Sequence, residues 1–219
     1  MAHILKNYDD DLSALKDSVV EMGTNALAAI EKSMNGLTNG DRDLCLDVIE
    51  EDEAIDQQEK RIDEQGMGIL LRFNPVATDL RQVLSSINIC RSLERIGDHA
   101  VTIAKRSRKI IRAGVLDEVR LVEPLFVEAR KIVSVALTAY SDVDETMALA
   151  VIEMDHKVDK IHKGLGKVLS QKISEAGQDT ESLLNLIFIA RSLERIGDLA
   201  VNIAEDVVFV TSAEDIRHT

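Results

Sequence analysis

Four acid-x-x-x-acid pairs carry the chemistry that residue type and spacing make available in this chain: Asp52/Asp56, Glu94/Asp98, Asp155/Asp159 and Glu194/Asp198. On a helix, the i to i+4 spacing puts both carboxylates of a pair on one face, with Cβ atoms ~5–6 Å apart. Any single pair is unremarked in a chain of 219 residues with 39 acidic and 26 basic side chains, a net charge of −13; it reads as a solvated helix face. What separates these four is their level and their direction. The first two pairs are centred on residues 54 and 96, and their midpoint is Pro75, a helix breaker. The second two are centred on 157 and 196, with a midpoint at Ala176-Gly177. Folding each half as an antiparallel hairpin therefore brings two pairs to one height, roughly 30 Å from the turn. Axes ~8–10 Å apart then let four carboxylates converge. In direction, Glu94 shares a stripe with Val83, Ile87, Cys90 and Val101, and Glu194 shares one with Leu183, Ile187, Ala190 and Val201. The acids interrupt apolar seams.

Like charges crowded beside a core repel one another and lose hydration, so something must neutralise them. Three answers are open. The acids could hold protons; arginines could pair with them, Arg91 and Arg95 preceding Glu94 and Asp98 by three residues as Arg191 and Arg195 precede Glu194 and Asp198; or a cation could share the oxygens. Arginine pairing accounts for the strip that contains it but not for its alignment with the Asp pairs on the preceding helix. A metal accounts for both, and all-oxygen ligands favour hard cations: Mg, Mn, Ca or ferric iron, with Zn as a further option. His156 and His162 lie near the second cluster, but His156 follows Asp155 directly and points ~100° away around the helix, as His99 does from Asp98. No nucleophile–base set accompanies the acids: G-x-S-x-G, G-x-x-x-x-G-K-[ST] and H-E-x-x-H are all missing, so no catalytic residues are expected. A di-iron oxidase or ferroxidase would need Glu-x-x-His on two helices. Glu153-x-x-His156 supplies one, but its counterpart is Glu50-x-x-Glu53.

The elements that position these acids are all helical. Apolar residues recur at three and four positions between sparse breakers, giving expected helices over about 4–37, 41–72, 76–112, 116–140, 143–175 and 179–211. Asp41, Asp117, Asp142 and Asp179 stand at the expected N-caps. An internal repeat divides them: RSLERIGDHAVTIA at 91–104 and RSLERIGDLAVNIA at 191–204 agree at 12 of 14 positions, at an offset of 100. Upstream the offset is 103, with Val48-Ile49-Glu50 matching Val151-Ile152-Glu153, so the first half carries three extra residues around Arg72–Thr78. The expectation is an all-α chain of two tandem three-helix bundles related by a pseudo-twofold repeat, residues 1–115 and 116–219. Gly97 and Gly197 fall mid-helix, where each costs about 1 kcal/mol relative to Ala; their recurrence points to close helix approach beside the acids.

Composition narrows the function classes. The negative net charge speaks against a nucleic-acid partner, and no apolar run approaches the roughly 18 residues of a membrane span, so no membrane insertion is expected. The first residues, MAHILKN, lack an apolar signal core. Cys45 and Cys90 form no C-x-x-C pair and read as buried thiols of a reducing cytoplasm. The six methionines read as core filler.

The doubled acid-x-x-x-Asp pairs, the strip LERIGD twice, and NPVATDLR after the second helix resemble the PhoU family of phosphate-signalling proteins over about residues 4–211. The resemblance implies two three-helix bundles, commonly assembled as homodimers, with no enzymatic activity. It implies multinuclear metal clusters, iron first, held by Asp52, Asp56, Glu94, Asp98, Asp155, Asp159, Glu194 and Asp198. Two of these pairs begin with Asp rather than Glu, one methylene shorter in reach. It also implies a cytoplasmic negative regulator of phosphate-starvation signalling and phosphate uptake, whose partners are the phosphate ABC transporter and a sensor histidine kinase. The residues by themselves leave a metal-free helical adaptor open beside the metal-binding scaffold.

Overall fold

A computed structural model describes residues 2–114, 116–175 and 180–213, with side chains from Asn7 onward. Among the described residues six α-helices follow one another: α1 Ala2–Asn39, α2 Arg42–Phe73, α3 Ala77–Ala113, α4 Glu123–Asp142, α5 Glu145–Glu175 and α6 Thr180–Ser212. Helices α1–α3 pack together as one three-helix unit and α4–α6 as a second. The expected all-α repeat is what the chain adopts.

Helix ends follow local chemistry. Asp41 caps α2, its carboxylate accepting from the backbone N–H of Asp43 and Leu44, both at 3.0 Å. Asn74 ends α2 in the left-handed region at φ 46°, which Asn tolerates better than most residues. Two expected caps are corrected. Asp117 opens a 3-10 segment, Asp117–Val122, rather than an α-helix. The reason is Pro124: it has no N–H to donate to Arg120, and its ring would strike that carbonyl, so the α-helix starts only at Glu123. Asp142 is the last residue of α4; the cap of α5 is Asp144, which accepts from Met147 N–H at 2.9 Å. The expected breaker Ala176-Gly177 and cap Asp179 lie outside the described residues.

The outer helices bury narrow seams. In α2 the buried residues are Cys45, Val48, Ile55, Ile62, Gly66 and Ile69; in α5 they are Ala148, Val151, Val158, Leu165 and Leu169. The first five of α2 fall on those five of α5 at an offset of 103, the offset read from the sequence. By contrast α3 and α6 are buried over most of their circumference, because each packs on its own unit and on the other. One continuous apolar core results. Both cysteines are buried and free. Met22 and Met34 fill the core, whereas Met67 is exposed near the α2–α3 turn.

The α3–α6 contact carries the pseudo-twofold relation in its hydrogen bonds. Arg106 donates to Asn185 at 3.1 Å and lies 4.3 Å over the Phe188 ring. At the other end Ser85 donates to the Asp206 carbonyl at 3.2 Å and Asn88 to its carboxylate at 3.3 Å. Positions 85, 88 and 106 are the repeat counterparts of 185, 188 and 206, so each end is the image of the other. The two helices run antiparallel, and their crossing centres on Arg95–Ile96 of α3 and Arg195–Ile196 of α6. Both LERIGD strips therefore stand at the middle of the molecule.

Replacing Asp41 by Ala removes the only side-chain cap of α2 among the described residues and is expected to cost about 1 kcal/mol. Thermal unfolding followed by circular dichroism would register this as a midpoint lower by roughly 2–4 °C.

Candidate metal centre

Each acid quartet is built where an outer helix meets a central one. Asp52 and Asp56 project from α2 toward Glu94 and Asp98 on α3; Asp155 and Asp159 project from α5 toward Glu194 and Asp198 on α6. The seam neighbours expected of Glu94, namely Val83, Ile87, Cys90 and Val101, are all buried, and Glu94 itself is half-buried at their edge. The mid-helix glycines explain the close approach. A Cβ on Gly97 would lie 3.1 Å from Ile55 Cδ1 and 3.7 Å from Asp52 Oδ1. A Cβ on Gly197 would lie 2.9 Å from Asp155 Oδ1 and 3.1 Å from Val158 Cγ1. In both copies the first Asp of the outer helix lies against the glycine that separates Glu from Asp on the inner one.

Burial and mutual repulsion shape the protonation of these groups. Glu94 is pushed from 4.5 up to about 7, first by burial and then by Asp98, Glu59, Asp56 and Asp52. Burial, with Asp56 and Asp98, raises Asp52 as well, against a partial offset from Lys105. Asp155 is pushed up to about 6 by burial, Asp198 and Asp159. Asp159 moves the other way, held low by its 2.6 Å hydrogen bond from Lys163. Glu59 belongs to the first cluster although its spacing was not singled out from sequence. Its signal was present: it lies seven residues after Asp52 on the same helical stripe and is the repeat counterpart of His162.

The two quartets differ in their cations. Arg195 reaches Asp198 at 3.0 Å and Glu194 at 3.6 Å, and the buried Glu194 Oε2 is left without a hydrogen-bond partner. With Lys163 on Asp159, the second quartet is partly neutralised by protein. The first quartet makes no ion pair among the described residues; the nearby Lys32 is turned to Glu51 at 2.6 Å. Arginine pairing, as read from the sequence, thus holds for Arg195 and not for Arg91, Arg95 or Arg191. The donor set fits a hard cation in its oxygens and its excess charge, but it is not a finished cage. No three His, Cys, Asp or Glu side chains among the described residues are gathered closely enough to hold a metal ion. His156 is exposed, as its position after Asp155 requires. Half-buried His99 is held below its usual range by burial and by Arg95.

Comparison with known proteins gives a consistent picture. The PhoU domain matches this chain twice, over residues 19–107 and 122–207. A Xylella fastidiosa protein named phosphate-specific transport system accessory protein PhoU homolog is 35% identical over 214 residues, spanning 98% of this chain and 89% of its own length. The Pseudomonas aeruginosa protein of the same name is 34% identical over 99% of this chain and 90% of its own. The crystal structure of PhoU from Pseudomonas aeruginosa superposes with a TM-score of 0.91 at 33% identity, covering 94% of this chain and all of that one. The fold is also that of the phosphate transport system regulatory protein PhoU from Streptococcus pneumoniae, at a TM-score of 0.88, 24% identity and 95% and 99% coverage.

Two outcomes follow for cation-free protein. A carboxyl whose pKa is raised on folding stabilises the fold below its unfolded value and loses that contribution as pH climbs to the folded value. For Glu94 the window is 4.5 to about 7. Glu94→Gln should flatten the fall in unfolding midpoint across that window and raise the midpoint above pH 7 by roughly 2–4 °C, measured by calorimetry in chelator. For the glycines, Gly97→Ala presses only on the swinging Cδ1 of Ile55, with Ile55 Cγ2 and Asp52 at ordinary contact distance, and should stabilise by up to about 1 kcal/mol. Gly197→Ala meets Asp155 and the stiff Val158 and should show no such gain; paired denaturant titrations would separate the two.

Proposed function

As the chain belongs to the PhoU family, we propose that it is a non-enzymatic regulator of phosphate uptake, restraining phosphate-starvation signalling through contacts with a phosphate ABC transporter and a sensor histidine kinase. The observation that carries the reading is the double match of the PhoU domain, with relatives at a third identity named as accessory proteins of the phosphate-specific transport system. No helix among the described residues is long and apolar enough to cross a membrane, which accords with a cytoplasmic protein acting on membrane-bound partners. A homodimer is part of the same reading.

Metal binding belongs to this proposal as the way the acid clusters are neutralised. Asp52, Asp56, Glu94 and Asp98 would hold one cluster and Asp155, Asp159, Glu194 and Asp198 the other, iron being the first candidate and Mn, Mg, Ca and Zn the alternatives. The bound cation supplies positive charge that ties an outer helix to an inner one. The chain's own contribution is the pair of glycine-lined approaches that bring Asp52 and Asp155 to the inner helices, and the crowding that makes a cation welcome. The metal-free adaptor draws support from Arg195 and Lys163 in the second quartet, so the first quartet is the stronger cation site. The oxidase reading draws none: Glu50, Glu53, Glu153 and His156 are all exposed.

Elemental analysis of protein purified without chelator should find metal that falls when Asp98 and Asp198 become Ala, together with an unfolding midpoint that chelator lowers in the parent and leaves unchanged in the double variant. In cells lacking the parent gene, the parent chain should restore repression of a phosphate-starvation reporter in high phosphate. A parent chain that holds metal yet leaves the reporter derepressed would overturn the regulatory reading, and repression without metal would overturn the cluster.

A further inference from the structure

A cavity of about 290 Å³ opens at the seam between the repeats, far along α3 from the acid clusters. Its walls come from both units: α1 and α3 of the first, α4 and α6 of the second. The lining is largely apolar, with Leu12 of α1 and Val207 and Val210 of α6 among its residues. At its inner end Tyr140, only 7% exposed, meets Ser86 with 2.8 Å between their oxygens.

The direction of that hydrogen bond decides what the cavity offers. Ser86 donates its proton to the Gln82 carbonyl at 2.7 Å. Tyr140 must therefore donate to Ser86, and burial keeps its phenol protonated by pushing it up to about 12. The Tyr140 oxygen is left with accepting capacity and no proton to give. In the same lining, half-buried Lys16 makes no ion pair among the described residues, and Asp9 is exposed. Val143, which ends α4 in the left-handed region at φ 52° with its N–H returned to the Tyr140 carbonyl, also lines the cavity.

We propose that this cavity is a small-molecule site for an amphipathic monoanion: an apolar body between the valines, an N–H or O–H donated to the Tyr140 oxygen, and one negative group at Lys16. The volume is at the lower end for ligand pockets, which suits a body of one or two rings. A molecule in it would touch both repeats and so bear on how they are held together.

The two-ring probe 5-aminonaphthalene-1-sulfonate, with its N–H donor and its sulfonate at opposite ends, combines those three features and can be titrated into the full chain. The chain has two tyrosines, Tyr8 and Tyr140, so 3-fluorotyrosine labelling gives two fluorine resonances, assigned by the loss of one in Tyr140→Phe. Tyr8 is edge-on to Phe73 and is not part of the cavity lining. Saturable one-to-one binding should shift the Tyr140 resonance and leave that of Tyr8 in place. Lys16→Gln should weaken binding about tenfold, and Lys16→Arg should restore most of it. Absence of binding, fluorescence gain with the Tyr140 resonance unmoved, or equal affinity in Lys16→Gln would each overturn the proposal.

Discussion

Carboxylates pressed against the backbone of a neighbouring helix are the constraint on which the rest of this molecule depends. Asp155 reaches α6 only because Gly197 presents no side chain there, and Asp52 lies beside Gly97 on α3 in the same arrangement with more room. An apolar seam on each side holds the helices at that distance, since α2 and α5 are fixed by Val48 and Ile55, and by Val151 and Val158, buried to within a few per cent. Hydrophobic burial thus compels like charges to remain neighbours. Their repulsion appears as the upward displacement of Glu94 and Asp155.

The antiparallel crossing of α3 and α6 adds the second level of organisation. Because the crossing centres on the LERIGD strips, the two acid clusters occupy one stratum of the molecule and flank the inter-repeat contact. Half-buried His99 on α3 feels Arg195 and Asp198 of α6 as well as its own neighbours. The clusters are therefore not independent decorations of two units. Each lies one helix away from the surface that joins them.

Most of this architecture was legible in the residues. The offset of 103 between Val48 and Val151 reappears as the offset between buried seams of α2 and α5, because a narrow apolar stripe on an outer helix is a direct record of what it packs on. Gly97 and Gly197 announced close approach by recurring at one place in both repeats, unlike Gly164 and Gly166 of α5, which have open space where a Cβ would stand. What escaped was decided by local geometry or by tertiary partners. Pro124 delayed α4 from the expected start near 116 to Glu123, and Asp144 rather than Asp142 capped α5. The unequal share of cations was equally hidden: Arg95 and Arg195 occupy equivalent places, yet only Arg195 folds onto its acids. A repeat fixes where a side chain starts and leaves its far end to its surroundings.

The two ends of the α3–α6 contact are geometric images made from different chemistry. Arg106 with Asn185 and Phe188 faces one end; Asp206 with Ser85 and Asn88 faces the other. Two identical copies of the first half, joined in tandem, would set Arg106 against Ser85 and Asn88 at both poles, stripping away the aromatic face on which the guanidinium rests. Neither half can stand in for its sibling. A shape inherited from duplication has become a molecule with a head and a tail, able to present unlike surfaces in opposite directions.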